Sequence, residues 1–430
     1  MGLRDTIREA RRALALKFVK DTLWGLAGTG VQGGFGFATN VVLVQFYGAD
    51  GLGRFALALS VCLPLQLVTA FGMAGSVAKY ASERGDDEGH VRAVLSAALL
   101  LVVPISLAVV VLGWLAAPAL HWVYRDDTVL ALYRVLLVSL PFAAVNKVLL
   151  GLLNGLRDMK AYAVFRAARF VLVFAGIVGL HLETGSIRAC AWAVPAAEVV
   201  LLAALAVRSR LPLRLGRPAA LWLKRHLRFG GYGQMHALVA DLLFRVDVLI
   251  IGALLATTEV GLYAFAADVA KGLTLGAVLI QINFNPVISR LWTERKTADL
   301  AAYAARVRKH TYLLHVPVIA LAAVGYPLFV YLFKPEMAVG RHFAAYGILL
   351  AGVFAYSGYA ALLGLMAYTG HVRQQLVRSV AALVVNAAGS ALLVPVLGIV
   401  GAAVSTCLAF ATIILYMRWF ARKGLGLAVG

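Results

Sequence analysis

The chain has 430 residues, of which 62% are hydrophobic and 14% charged, with a formal net charge of +20 and a mean hydropathy of +0.86. A soluble domain carries roughly 45–50% apolar and about 25% charged residues, so the excess faces something other than water and a separate soluble domain is excluded. Nucleic-acid binding is excluded as the reason for the charge, because the basic residues fall mostly in short loops between apolar runs, where they act as topology signals.

In chain order, residues 1–21 suit a basic amphipathic helix at the membrane interface. Leu3, Ile7, Ala10, Leu14 and Phe18 recur every three or four positions, with Arg8, Arg11, Arg12 and Lys20 supplying charge. The first apolar run, from Thr22, is too long for the h-region of a cleavable signal. Spanning helices are expected at 22–47, 55–76, 93–117, 129–153, 161–181, 189–207, 230–255, 261–288, 310–333, 342–366, 379–396 and 399–417. The predicted fold class is an all-α integral membrane protein of about twelve helices. Its organisation is a basic segment 1–21, a six-helix lobe 22–207, a basic cytoplasmic linker 208–229, a second lobe 230–421 and a tail 422–430. Helix 8 is expected to run past the membrane into the cytoplasm.

Lysine and arginine set the orientation. One side carries the N-terminal cluster, the linker (Arg208, Arg210, Arg214, Arg217, Lys224, Arg225, Arg228) and the eighth loop (Arg290, Arg295, Lys296, Arg306, Arg308, Lys309). The tenth loop adds Arg373 and Arg378 on that side, while the opposite side has Arg54, Arg125, Arg188, Lys334 and Arg341. Both termini are therefore expected in the cytoplasm.

The two lobes read as repeats. NVVLVQFYGADGLGRFALA from Asn40 aligns with DVLIIGALLATTEVGLYAFA from Asp247, matching Gly53 to Gly261. LLGLLNGLR from Leu149 aligns with LLGLMAYTGHVR from Leu362. Both copies begin on the same side, so the repeat is parallel, an architecture suited to alternating access.

Charges inside spanning segments carry the functional reading, since each costs at least about 2.5–3.5 kcal/mol at the bilayer centre. The bases are Arg134, Lys147, Arg166, Arg169, Arg245 and Lys271; the acids are Glu198, Asp241, Asp247 and Asp268. Arg134 and Lys147 lie near helix ends and are expected to snorkel. Arg166 and Arg169 share a face with Tyr162 and have no acid close by in sequence, which suggests an anion-binding surface. Asp241 and Arg245 are four apart, Asp268 and Lys271 three apart, so each pair is expected to neutralise itself within its helix. Arg166, Arg169, Arg245 and Lys271 are the substrate-binding candidates. Asp241, Asp247, Asp268 and Glu198 are candidates for ion coupling or ion pairing.

Weaker marks are the Gly30–Gly34 GxxxG, read as close helix packing in preference to a hinge, and helix-kinking prolines at 64, 104, 195, 286, 317 and 327. Asn283, Asn285, Asn386 and His315 are polar and suited to line a cavity, with a satisfied interhelical contact the commoner role, and Cys62, Cys190 and Cys407 are read as small buried hydrophobes. No P-loop, HExxH or GxSxG is present. The chain is therefore expected to be a transporter, not an enzyme, without metal or cofactor, driven by an H+ or Na+ gradient or by the substrate gradient.

GADGLGRFALALSVCLPLQLVTAFGMAGSVAKYASERGD from Gly48 resembles the early first-half region of bacterial polysaccharide flippases. DVLIIGALLATTEVGLYAFAADVAKG from Asp247 resembles the start of their second half. NPVISRLW from Asn285, GLMAYTGHVRQQ from Gly364 and VNAAGSALLVPVLGIVGAAVSTCLA from Val385 continue the resemblance in order. The family is the O-antigen/polysaccharide flippase branch of the multidrug/oligosaccharidyl-lipid/polysaccharide exporter superfamily. The resemblance implies a two-lobed, twelve-helix protein of the bacterial inner membrane. It implies a cationic cavity and transfer of undecaprenyl-pyrophosphate-linked oligosaccharide (O-antigen, capsule or exopolysaccharide units) to the periplasmic leaflet. It also implies membrane lipids, a polysaccharide polymerase and assembly proteins as partners, and no nucleic acid. The alternative is a cation-coupled multidrug antiporter of the same superfamily, whose cavity should be acidic or aromatic. A lipid II flippase should have additional helices, a membrane glycosyltransferase or polymerase should have large periplasmic loops, and a purely structural subunit would leave the deep arginines unexplained.

Overall fold

A computed structural model describes residues 3–209 and 220–427. The side chains of 3–19, and hence the apolar face read in the N-terminal segment, lie outside the described residues. So do linker positions 210–219 and tail positions 428–430.

In hydrocarbon every backbone N–H and C=O must find its partner inside the segment, which leaves the helix as the solution for apolar runs of this length. The helices are α1 (Leu3–Ala70), α2 (Met73–Glu83), α3 (Glu88–Tyr124), α4 (Asp127–Gly155), α5 (Met159–Thr184), α6 (Ile187–Cys190), α7 (Ala193–Arg208) and α8 (Ala220–Leu243). They continue with α9 (Val246–Leu254), α10 (Thr257–Gly272), α11 (Leu275–Thr293), α12 (Thr297–Phe333), α13 (Gly340–Ala360), α14 (Leu365–Tyr368), α15 (Val372–Leu397) and α16 (Ile399–Gly424). Among the described residues there is no strand.

Among the described residues, ten helical stretches are long and apolar enough to cross a membrane. One of them, Leu23–Glu83, is 61 residues long, well over twice the about 20 residues that one crossing needs, and the broken stretch α8–α9 accounts for another crossing. The chain is an all-α integral membrane protein of about twelve spanning helices. Apolar side chains stand exposed: on α12, Leu321 is 75% exposed and Val324 68%, as on a lipid-facing surface.

Several boundaries differ from expectation. The first two spans follow each other without a loop: α1 comprises two helices joined at a kink where Gly48 (φ 68, ψ −172) leaves helical geometry, just after the expected end of the first span; that region of backbone space is essentially restricted to glycine. The expected helix 7 is broken at Phe244–Arg245, and helix 8 at Leu273–Thr274. The helix after the eighth loop starts at Thr297, well before the apolar run. The expected close packing at Gly30–Gly34 is not seen among the described residues: a Cβ on either would meet nothing within 4 Å, whereas a Cβ on Gly28 would lie 3.2 Å from that of Ala163.

The chain forms two compact units. The first comprises Met1–Thr39, Leu65–Ala116 and Arg134–Gly231; the second comprises Asn40–Pro64, Ala117–Tyr133 and Tyr232–Gly430. The first has a core of Met73, Val77, Val94, Ala98, Val148, Leu152, Leu201 and Leu205. Gly151 packs so tightly there that a Cβ would stand 2.8 Å from the Cα of Ala74. In the second unit, Tyr326 stacks on Tyr346 at 4.1 Å and Tyr356 on Phe410 at 4.6 Å. Cys62 and Cys190 are buried free thiols, and Cys407 is partly buried.

Candidate functional site

Each unit carries its own cluster of membrane-embedded charge. In the first, α5 presents Tyr162, Arg166 and Arg169 at positions i, i+4 and i+7, one helix face. Arg169 Nε lies 2.7 Å from Glu198 Oε1 on α7, and Glu198 is only 1% exposed. Asn146 Nδ2 on α4 donates to the other Glu198 oxygen at 2.7 Å and to its backbone carbonyl at 2.9 Å. The expectation of two unpaired arginines is thus corrected. Arg169 meets an acid 29 positions away, because α5 packs on α7. Arg166 alone keeps neutral partners: it donates to Tyr162 Oη at 3.3 Å and to Gln32 Oε1 at 3.2 Å, with its guanidinium over the Tyr162 ring at 5.3 Å. No carboxylate among the described residues pairs with it.

The second cluster is built around the break between α8 and α9. Asp241 and Arg245 form the expected i,i+4 pair at 2.9 Å. The break frees two carbonyls. Asn386 Nδ2 donates to that of Leu243 at 2.9 Å, and Lys271 Nζ to that of Phe244 at 2.9 Å. Lys271 also reaches Asp247 Oδ2 at 2.6 Å. Asp247 has no exposed surface. It accepts further from Tyr263 Oη at 2.6 Å, Thr406 Oγ1 at 3.0 Å and the Val248 N–H at 2.9 Å. The expected Asp268–Lys271 pair is therefore corrected: Lys271 turns to Asp247, and Asp268 accepts from Asn40 Nδ2 at 2.8 Å while remaining exposed.

The clusters differ in sign. Arg166 and Arg169 outnumber Glu198 in the first unit; in the second, three aspartates face Arg245 and Lys271. The first can hold an anion at Arg166, whose planar fork has donors beyond those committed to neutral oxygens. The second offers Asp268 as the acid not met by a base. Arg134 lies over Trp114 at 5.5 Å, and Lys147 donates to the Gln66 carbonyl at 3.5 Å. Asn283 donates to the Leu279 carbonyl within its own helix, not between helices as expected.

A profile described as "polysaccharide biosynthesis protein" matches residues 18–292. The chain belongs to that family. No curated protein matches the sequence. The architecture of this chain is similar to that of several solved structures. An inward-facing multidrug resistance MATE family transporter of the MOP superfamily superposes with a TM-score of 0.76 at 17% identity, over 94% of this chain and 98% of that one. The lipid II flippase MurJ, in an inward closed conformation, gives 0.71 at 15% identity over 93% and 87%. A MOP superfamily transporter from Pyrococcus furiosus, whose binding pocket is described as having reverse polarity, gives 0.62 at 16% identity over 94% and 94%. At such identities the likeness establishes the fold.

Sequence reading missed one residue of this class. Arg378, placed among the loop bases, is only 2% exposed. The available signal was its spacing: Gln374, Gln375, Arg378 and Ser379 fall on one helix face.

Proposed function

We propose that this protein is a flippase for undecaprenyl-pyrophosphate-linked oligosaccharide. It moves the headgroup from the cytoplasmic to the periplasmic leaflet of a bacterial inner membrane by alternating access of two six-helix lobes, 22–207 and 230–421, with both termini cytoplasmic. The observation that carries this reading is Arg166, a guanidinium held within a spanning helix by neutral oxygens alone. A cation kept at that cost without an acid is suited to a ligand that brings its own negative charge, and a guanidinium matches the geometry of phosphate. Sugar hydroxyls would be met by Gln32 and Tyr162, while the polyprenyl tail stays in lipid. The product would be an O-antigen, capsule or exopolysaccharide unit, handed to a polymerase and assembly proteins.

The test is the lipid inventory of a strain lacking the gene, read with a leaflet-resolved assay. Build-up of the lipid-linked oligosaccharide on the cytoplasmic side, relieved by the intact gene and not by Arg166→Ala, supports function and site. Relief by the variant removes Arg166 from the site. Absence of build-up with an active sugar pathway rejects the flippase.

A second reading, cation-coupled drug antiport, is favoured by one feature, the exposed Asp268 in a cluster where acids outnumber bases. In either reading Asp268 is the coupling candidate, for H+ or Na+, in preference to Asp241, Asp247 and Glu198, whose carboxylates already face a base.

A further inference from the structure

The start of α15 is inside out for a water-soluble helix. Val372, Val377, Val380 and Val384 are 39–58% exposed, whereas Arg378 and Ser379 are buried and Gln374 and Gln375 partly so. A helix in lipid that turns its polar face inward lines a polar interior. At its centre is Arg378. A guanidinium stays charged at any working pH, yet no carboxylate among the described residues pairs with this one. Its Nη1 points at the Leu363 carbonyl from 3.4 Å, beyond the usual N–H···O range. Its Nε is buried with no acceptor. Burial of an uncompensated ion is costly even after relaxation, so the site has positive charge and vacant donors to spare.

The neighbours are donors too. His236 on α8 holds Ser379 Oγ at 3.3 Å through Nδ1 and Gln375 Nε2 at 2.8 Å through Nε2. The amide must donate to Nε2 in that contact, so Nδ1 carries the proton. When an acceptor arrives, the Ser379 hydroxyl and the imidazole N–H are free to turn to it. Arg378 loses little by leaving the Leu363 carbonyl.

We propose that Arg378, His236 and Ser379 form an oxyanion site in the second unit that binds the phosphoryl group of a lipid. The bidentate fork of Arg378 takes two phosphoryl oxygens, and His236 and Ser379 take a third. Two lipids carry this chemistry, a polyprenyl pyrophosphate and an anionic phospholipid. Only the choice between them rests on the flippase reading.

The experiment is binding of undecaprenyl pyrophosphate and of phosphatidylglycerol to the full-length purified protein, followed by native mass spectrometry, for wild type and Arg378→Gln. The variant should bind one of the two lipids at least tenfold more weakly. Without added lipid it should melt no lower than wild type, because an uncompensated charge has been removed. A loss confined to undecaprenyl pyrophosphate supports the site and gives it to the substrate. A loss confined to phosphatidylglycerol supports the site and gives it to a bound membrane lipid. Unchanged affinity for both overturns the proposal. If Arg378→Gln does not yield monodisperse protein, His236→Gln combined with Ser379→Ala replaces it, with the same tenfold criterion and the same overturning result. Transport is not read in this assay, so failure of the flippase reading and failure of this site remain separate outcomes.

Discussion

Gly53 and Gly261, matched by the internal repeat, pack directly against each other. A Cβ on Gly53 would overlap the carbonyl oxygen of Thr257 and stand 2.8 Å from the Gly261 nitrogen. A Cβ on Gly261 would overlap the carbonyl oxygen of Ala49 and stand 3.0 Å from the Gly53 nitrogen. Around them Arg54 pairs with Asp50 and Asp126, each at 2.9 Å. Gly53→Ala and Gly261→Ala should each destabilise by at least the about 1–3 kcal/mol of an overpacked core. Gly30→Ala, with open space around it, should be neutral or slightly stabilising. Thermal unfolding in detergent checks all three.

Arg169 and Glu198 should behave as a structural pair. Arg169→Ala leaves a buried carboxylate uncompensated and should cost on the order of 3 kcal/mol. Adding Glu198→Gln, which keeps an oxygen for Asn146, should restore much of that loss. A double-mutant cycle of unfolding temperatures checks the coupling; additive losses would remove the pair from the account.

Arg166→Ala should separate folding from transport. Its partners are neutral and partly exposed, so the unfolding temperature should shift little, while headgroup transfer should fall at least tenfold in the leaflet-resolved assay. Arg166→Lys should recover only part, since a point charge lacks the planar fork.

Asp268→Asn keeps an acceptor for Asn40 but cannot ionise. Expression and folding should be preserved. The dependence of transport on an imposed H+ or Na+ gradient should disappear in vesicles. Unaltered gradient dependence would move coupling elsewhere.

Acid should loosen the first unit around His226, near the start of α8. Its Nδ1 lies 2.7 Å from Ser76 Oγ, and its Nε2 lies 3.0 Å from the Val94 carbonyl oxygen. The ring is satisfied when neutral, with Nε2–H donating and Nδ1 accepting from the serine. Burial lowers its pKa below the ordinary 6.5, with the bond to Val94 opposing. The neutral form is therefore the folded-state form. Its contribution is complete above about pH 6.5 and is lost as pH falls from there through the folded value. Unfolding temperature measured against pH should decline across that window, and less so in His226→Gln.

The sequence carries what is local and what is periodic. Helical runs follow from hydropathy and the Asp241–Arg245 pair from a spacing of four; the alignment matched Gly53 to Gly261 but said nothing of their contact. Arg169–Glu198 and Lys271–Asp247 were not readable, because they depend on how one helix is rotated against another, and apolar faces all round leave that rotation unspecified. The break at Phe244–Arg245 was equally hidden: its freed carbonyls are satisfied by Asn386 and Lys271 from distant segments. Arg378 was misplaced because hydropathy puts a base at the edge of a span into the loop, even where the helix begins six residues earlier.

The stitched gap between α8 and α9 has a mechanical consequence. Lys271 fastens it to α10 and Asn386 to α15, so these pieces must travel together like one bracket; parting them would strand two carbonyls in a medium without water. Compliance belongs instead where backbone bends with nothing wedged beside it. Gly48 in α1 is such a place, with no neighbour within 4 Å of its missing side chain, and it is there that a stiff rod of helix can act as a crank.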